Sequence, residues 1–519
     1  MDSISDIEAG PEKGPVTLPA LFNEAAALHG PRPLMVFDDG SAVSYAEAAS
    51  LSRDIAARLR EMGVGSGDRV VSISAASAES ALVFWASMLA GAVFVPLDGA
   101  MPSGRLGNIL ERTAPKAVFV SLDYPDKGAL ATFNTVCYRT EGEGVDGLKS
   151  FSAWLREGTG EFEPADVPPA QDAIVLFTSG TSGEPKGVVL SHRALCESGR
   201  LMKEAYRWGP EDTLLSTGDF HTMSGLRNPC VAVLHAGASF IMAPPAERSN
   251  AVSASALMER LGATILCTVP AFLAQFTRFE EKVSRGFASG LRYVMCTGTN
   301  LTAAAKEAFE RLYGVPVLNY YGLTETSGIC IGVLPGMEKS CRGTIGVPLG
   351  STSIRLDADG SDAEAGELLI MTGNLMSGYY GEPQGAGSIK DGWYRTRDLC
   401  RRRPDGSIEL IGRVDDAFKD QRGELVHPSE IEKALEGSAG VLEAAVCGFD
   451  DGDGRPAVAA FVVLKEKCVD ERAVADELRR EVNRALGAHR TPALFRFVDS
   501  LPRGTNGKIL RRILKEELR

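Results

Sequence analysis

Apolar positions recur at helical spacing in LPALFNEAAALHG (18–30) and in SYAEAASLSRDIAARLREMG (44–63), with the strand-like PLMVFD (33–38) between them. Ser44, three residues ahead of Glu47, predicts a capping box at the start of the second helix. VVSIS, ESALVFWASMLAGAVFVPLD and KAVFVSLD then alternate short apolar runs with helices, the pattern of a parallel sheet covered by helices. From Ala173 the alternation resumes, with IVLF, TLLST, ASFIMA, TILCTV, YVMCTG and VLNYYG separated by helical or loop segments. This half predicts an α/β fold of two stacked, doubly wound subdomains.

Between Gly343 and Gly412 the texture changes. SIRLDADG, GELLIMTG and DGSIELIGR are alternations bounded by DG or TG, which predicts a small β-rich subdomain. After Asp415 it changes again: HPSEIEKALEG reads as a capped amphipathic helix, VLEAAVCGF and AVAAFVVLK as strands, and ERAVADELRREVNRALG as a strongly periodic helix. About a hundred residues with their own helices and strands predict a separate α+β C-terminal domain.

A chain of 519 residues exceeds the usual limit for one core, so two or more domains are expected. A net charge of −13 argues against a general nucleic-acid or membrane-surface binder but leaves room for a nucleotide substrate, which needs only a few local cations. Ten cysteines are scattered without CxxC pairs or metal spacing, the usage of a reduced cytoplasmic protein. MDSISDIEAGPEKGP carries no signal peptide, and the longest apolar stretch, Ala81 to Leu97, is too short and interrupted to span a bilayer. No membrane or nucleic-acid partner is expected.

Candidate chemistry begins at Leu176 to His192, LFTSGTSGEPKGVVLSH, where an apolar run enters a loop dense in hydroxyls and glycines that closes on Lys186. Backbone N–H and side-chain O–H groups there can converge on a polyanion, and a lysine adds charge. It is not a Walker loop, because the second glycine and the hydroxyl after the lysine are missing. In NYYGLTETSG, Thr324 and Glu325 follow a strand and can hold magnesium on ATP phosphates, with Tyr321 stacking on a purine; the plainer alternative is a loop of core tyrosines with a capping acid. Asp398 in YRTRDL can accept both ribose hydroxyls or be a solvated turn charge, and Arg413 in GRVDD can reach a phosphate. Asp415 and Asp416 are candidates for a hinge. Lys508 in PRGTNGK follows a glycine-rich turn that can swing its ammonium into a site, whereas Arg511, Arg512 and Lys515 read as a solvated face.

TSGTSGEPKG, YYGLTETSG, YRTRDL, GRVDD and PRGTNGK, in this order over more than three hundred residues, closely resemble the adenylate-forming superfamily of acyl-CoA synthetases, peptide-synthetase adenylation domains and luciferases. VSYAE and MLAGAVFVPLDGAMPSGRL look like its weaker N-terminal motifs, so the resemblance covers nearly the whole chain. It implies an N-terminal domain, residues 16–413, and a mobile C-terminal domain, 414–519, that rotates about Asp415 between two half-reactions. A carboxylate attacks the α-phosphate of ATP to give acyl-AMP and pyrophosphate; a thiol of CoA or of carrier-protein phosphopantetheine then displaces AMP. The implied cofactors are ATP and magnesium.

By the same likeness Lys508 bridges the carboxylate and α-phosphate, Thr324 contacts the α-phosphate and Glu325 holds magnesium. Thr178, Ser179, Gly180, Thr181, Ser182, Gly183 and Lys186 grip the β- and γ-phosphates. Asp398 takes the ribose, and Arg413 a phosphate or ribose. Asn319, Tyr320, Tyr321 and Gly322 belong to the nucleotide site. CTGTN, with Gly298 and Thr299, replaces the glycine pair and acid that usually line the adenine, and these two residues also border the acid. Arg397 stands where glycine is common, and KDQRGELVHP is one residue longer than the usual spacing in a loop that faces the thiol acceptor.

Acid choice is expected between Ser216 and Cys230, STGDFHTMSGLRNPC. Ser224 occupies the place where amino-acid-activating members carry an aspartate, and His221 resembles the histidine beside the acyl or thiol channel; its alternative is a core histidine with its hydrogen bond satisfied. Asp219 can still meet an amino group, and Arg227 either pairs with a second carboxylate or points to solvent. The leading expectation is an acid–thiol ligase for a small or medium carboxylic acid. A stand-alone amino-acid or β-amino-acid adenylation enzyme loading a carrier protein comes second, and a non-catalytic nucleotide-binding relative third.

Overall fold

The computed structural model describes residues 14–126, 130, 132–138, 148–156, 162–179, 185–299, 301–358, 361–382, 388–420, 422, 425–451, 455–465, 470–503 and 509–518. Contacts divide the chain into two compact units, the first Met1–Ser353 with Met371–Tyr394, the second Ile354–Ile370 with Arg395–Arg519. The β-rich strands cluster with the C-terminal segment because the helix Pro428–Glu436 packs on the strand Ile408–Arg413: Ser429 donates to the Ile411 carbonyl and Lys433 to Glu409 at 3.2 Å.

The first unit holds two large sheets, both of the α/β type read from the sequence. One has eight strands in the order Gly378–Tyr379, Pro185–Ser191, Asp172–Ser179, Val93–Leu97, Arg69–Ile73, Ala117–Ser121, Thr135–Tyr138 and Lys149–Ser150, parallel from the third onward. The other has nine: Val347–Pro348, Ile331–Gly332, Val317–Tyr321, Tyr293–Cys296, Ile265–Thr268, Thr213–Ser216, Ser239–Met242, Pro33–Phe37 and Ala42–Ser44. The inner strands of this sheet are parallel and read as unbroken apolar runs because both faces are covered; every residue of Tyr293–Cys296 is buried.

One core joins the sheets through the helices Leu18–His29, Tyr45–Glu61 and Ala78–Leu89, with Met35, Phe94, Ile174, Phe22 and Trp85 in the same cluster. Phe22 stacks on Trp85 at 5.0 Å, and the indole N–H is satisfied by the Cys230 carbonyl at 3.0 Å. The capping box forms as expected: the Ser44 hydroxyl accepts from the Glu47 amide and the Glu47 carboxylate from the Ser44 amide.

In the second unit, the strands Val441–Asp450, Pro456–Leu464 and Leu494–Phe497 form a sheet packed by Pro428–Glu436 and Glu471–Leu486. The first of these helices lacks the cap expected for it: its N-cap is His427, which makes no side-chain capping bond, and Pro428 at N1 begins the helix instead. Nine cysteines are buried and form no disulfide, and Cys468 lies outside the described residues. Among the described residues no helix is long and apolar enough to cross a membrane.

Candidate active site

The parallel strands Thr213–Ser216, Ile265–Thr268, Tyr293–Cys296 and Val317–Tyr321 are neighbours, so the segments after their carboxyl ends share one edge of the sheet. That edge is where ligands bind in open α/β sheets. It collects Asp219 and His221, then Thr297 to Thr299, then Gly322 to Glu325. Thr297 donates to the Tyr320 carbonyl at 2.8 Å and ties two of these segments together. Asn319 is engaged by the Thr344 carbonyl at 3.3 Å, Tyr320 is buried and Tyr321 half-buried.

Thr324–Thr326 forms a 3₁₀ turn. It folds back so tightly that a Cβ on Gly322 would lie 2.2 Å from the Gly328 carbonyl carbon, which is why glycine stands there. Buried Asn374 clamps the turn by donating to the carbonyls of Thr326 at 2.7 Å and Ile329 at 2.6 Å, and the Ser327 hydroxyl donates to the Asn374 carbonyl at 2.8 Å. The turn therefore has a fixed backbone that presents Thr324 and Glu325.

The hydroxyl-rich segment is an antiparallel hairpin, with Thr178 opposite Lys186; Gly180, Thr181, Ser182 and Gly183 at its tip lie outside the described residues. Lys186 lies over the Tyr379 ring, 5.1 Å from its centroid, and the Tyr379 hydroxyl donates to Glu325 Oε1 at 3.0 Å. One phenol thus links the phosphate-loop lysine to the acid of the 3₁₀ turn. Burial and the Glu325 carboxylate push the Tyr379 hydroxyl up to about 12, and the same two causes raise Tyr394, so both remain proton donors at neutral pH. A cleft of about 380 Å³ opens beside the hairpin, lined by Arg112, Lys186, Tyr379 and Tyr380 among others, so two cations face it.

On the acid-side segment, Asp219 is already committed: it pairs with buried Arg248 and accepts from the Ala76 amide at 2.9 Å. His221 is half-buried with its Nδ1 shielded and unbonded, so the satisfied core histidine does not describe it. Ser224 lies in the first turn of the short helix Met223–Arg227, which Thr222 caps. Arg227 does not point to solvent: it is 0% exposed. The chain widens directly after it into a π-helical turn, Asn228–Ala232, a form that recurs at functional sites.

In the second unit, Asp398 and Arg413 face each other across a strand ladder and form an ion pair at 2.8 Å, so they are one unit of charge rather than two separate contacts. Arg397 has φ of 62°, in the left-handed region that favours glycine, and its guanidinium pairs with Asp415 at 2.6 Å, which lowers the carboxyl pKa. Arg511 is not on a solvated face, since it is largely buried and paired with Asp416 and Glu432. Lys508 and Asn300 lie outside the described residues.

Reading the sequence missed Tyr379, Asn374 and Arg112. The first two fall in MTGNLMSGYYG, which follows a strand and mixes glycines with an aromatic pair just as NYYGLTETSG does; that shared texture was the available signal. Arg112 had none, because its position beside the hairpin is a tertiary fact.

Comparison with known proteins bears on these segments directly. The family model described as AMP-binding enzyme matches residues 22–380, and that described as AMP-binding enzyme C-terminal domain matches 430–508. A sulfoacetate–CoA ligase from Cupriavidus necator is 30% identical over 95% of this chain and 96% of its own. A fatty acid–[acyl-carrier-protein] ligase, ScoC, from Streptomyces coeruleorubidus is 29% identical over 94% of each chain. The ATP-bound MatB of Rhodopseudomonas palustris superposes with a TM-score of 0.86 at 26% identity, covering 96% of this chain and 99% of that one. With the Lys186, Tyr379 and Glu325 constellation in a fold of this kind, the chain belongs to the AMP-binding enzymes of the adenylate-forming superfamily and is an AMP-forming acid–thiol ligase, which activates a carboxylic acid as its acyl-AMP and then forms a thioester.

Proposed function

We propose that the acid is a small carboxylic acid without an α-amino group, and that the edge carrying His221, Gly298, Thr299 and Glu325 is where its carboxylate meets ATP. The observation that carries this reading is the Lys186–Tyr379–Glu325 linkage, which draws a phosphate-loop cation and a turn carboxylate into one arrangement. A carboxylate is already ionised at neutral pH, so adenylation needs charge stabilisation at the phosphoryl group more than a base. A carboxylate oxygen bonds to the α-phosphorus, the bond to the bridging oxygen breaks, and pyrophosphate leaves.

Lys186, with Arg112, which donates to the neighbouring Pro185 carbonyl at 3.1 Å, holds the leaving pyrophosphate, and Thr178 with residues 179–183 supplies hydroxyl and amide donors. Thr324 contacts the α-phosphate. Glu325 beside the Thr324 hydroxyl is a donor set that suits magnesium, which keeps several waters and takes further ligands from phosphates. Bound there, the ion would neutralise phosphate charge. Lys508 bridges the reacting carboxylate and the α-phosphate from a mobile domain, 414–519, with Asp415 as its pivot. The Asp398–Arg413 pair receives the ribose. In the second half-reaction a thiolate attacks the acyl carbon and AMP departs; the acceptor is CoA or a carrier-protein phosphopantetheine.

The amino-acid reading is weakened by Asp219, whose carboxylate is held by Arg248, and by neutral Ser224 where an ammonium partner would stand. The relatives act on acids as unlike as sulfoacetate and fatty acids, so the acid class must come from this chain's own residues. Acid-dependent pyrophosphate exchange with a panel of carboxylic and amino acids, followed by trapping with CoA or a carrier protein, tests the proposal. Exchange with α-amino acids alone would replace it by the amino-acid reading.

A further inference from the structure

Arg227 and Arg248 are the arginines buried among the described residues, at 0% and 5% exposure. Arg248 has a carboxylate, Asp219, and the largely buried Arg511 of the second unit has two, Asp416 and Glu432. Arg227, the deeper of the two buried arginines, pairs with no carboxylate of the described residues. Its Nε donates to Asn228 Oδ1 at 2.8 Å, its Nη1 reaches the Ser327 carbonyl only at 3.5 Å, and its remaining side-chain neighbour is the neutral Tyr320 hydroxyl. The guanidinium lies over the Tyr320 ring, 5.7 Å from the centroid.

The surplus is one of charge. Asn228 spends its carbonyl on Arg227, and the groups nearest the guanidinium, the Asn228 amide and the hydroxyls of Tyr320 and Tyr206, whose rings lie 6.3 Å apart, are buried and neutral. Buried cations are ordinarily paired, so a guanidinium held by neutral partners alone needs an explanation. A water molecule could accept a bond from it but would not neutralise a cation, and burying a charge without a counter-ion is costly. Burial pushes the Arg227 pKa down, the direction expected for a cation buried without a counter-ion.

The position of this cluster says what it faces. Ser327 and Gly328 continue the turn of Thr324 and Glu325, and a Cβ on Gly328 would lie 3.9 Å from Arg227 Cζ. The guanidinium therefore backs onto the turn that presents the reacting groups. Arg227 also closes the helix that begins two residues after His221. We propose that Arg227 selects the acid: with Asn228 and Tyr320 it binds a second anionic group, carboxylate or sulfonate, borne by a short acid whose other end is adenylated. This rests on the placement of the acid beside Glu325 given above.

The test is pyrophosphate exchange by the full chain with malonate, succinate and sulfoacetate, each against a monoanionic counterpart of similar shape: butyrate, pentanoate and 3,3-dimethylbutyrate. The wild-type protein is expected to favour the dianionic member by about 10²-fold or more in kcat/KM, because a site with a buried cation rejects an analogue that brings no counter-ion. The carboxylate and sulfonate arms decide which anion is preferred. Arg227→Met should cost the dianionic acids about 10²-fold while the alkyl acids hold or gain, and Arg227→Lys should fall between, since an ammonium keeps the charge without the planar fork. The wild-type panel stands even if Arg227→Met does not fold. Preference for the alkyl acids, or an equal fall for both classes in a folded Arg227→Met protein, overturns the inference and leaves the activity in place; no exchange with any acid overturns both.

Discussion

Around Glu325 the charged groups of the first unit have partners: its carboxylate takes the Tyr379 hydroxyl, and Lys186 lies over the same ring beside an open cleft. Around Arg227, against the far side of the same turn, a cation is sealed from water among neutral groups with no carboxylate of the described residues paired to it. On the proposed function, the difference follows from what each region would meet. A polyphosphate carries its own dense charge and can be received by exposed cations, such as Lys186 and Arg112, that water also serves. A small acid offers one distinguishing group at most, and a dry cation recognises it because the alternative is leaving that charge without a counter-ion.

The largest way to break this comparison is Glu325→Gln. It should lower pyrophosphate exchange by about 10²-fold or more with every acid, the usual scale for losing one group that stabilises transition-state charge. A loss confined to one acid class would move Glu325 to the acid side. Next comes Gly328→Ala, at φ of 79° with its new Cβ 2.7 Å from Met223 Cγ. Strain of about 1–3 kcal/mol is expected there, with the acid KM raised about tenfold and the ATP KM changed far less. Equal rises in both would mean the two regions are not separable.

Tyr379→Phe removes one hydrogen bond to Glu325 and should cost about 3–10-fold, independent of the acid, as expected for a single neutral donor. Steady-state exchange at several acids measures this; strong acid dependence would contradict the assignment of Tyr379 to the nucleotide side. Smallest is Arg397→Gly, which relieves a left-handed backbone and breaks a half-exposed ion pair with Asp415. Such pairs contribute about 0.2–1 kcal/mol, so a change within about fivefold is expected, larger in single-turnover thioester formation than in adenylation. A larger effect on adenylation would place Arg397 at the ribose rather than at the pivot.

Much of the fold was legible because its signals are local. The capping box at Ser44, the unbroken apolar runs of the inner strands and the turn-bounded alternations after Gly343 are properties of neighbouring residues, and each formed as read. The helix at Pro428 was legible but its cap was not, since a proline at N1 serves in place of a capping side chain. The Asp398–Arg413 pairing was missed because register between two strands decides which side chains meet.

By itself, the order of TSGTSGEPKG, YYGLTETSG, YRTRDL, GRVDD and PRGTNGK determined the reaction class, because adenylation needs those groups whatever acid is used. The sequence left Arg227 open between a second carboxylate and solvent. Only the tertiary structure decided that it is buried without an acidic partner, since burial and pairing are set by chains of contacts from distant segments: Ser327, Tyr320 and Tyr206 lie far from it in sequence and surround it in space.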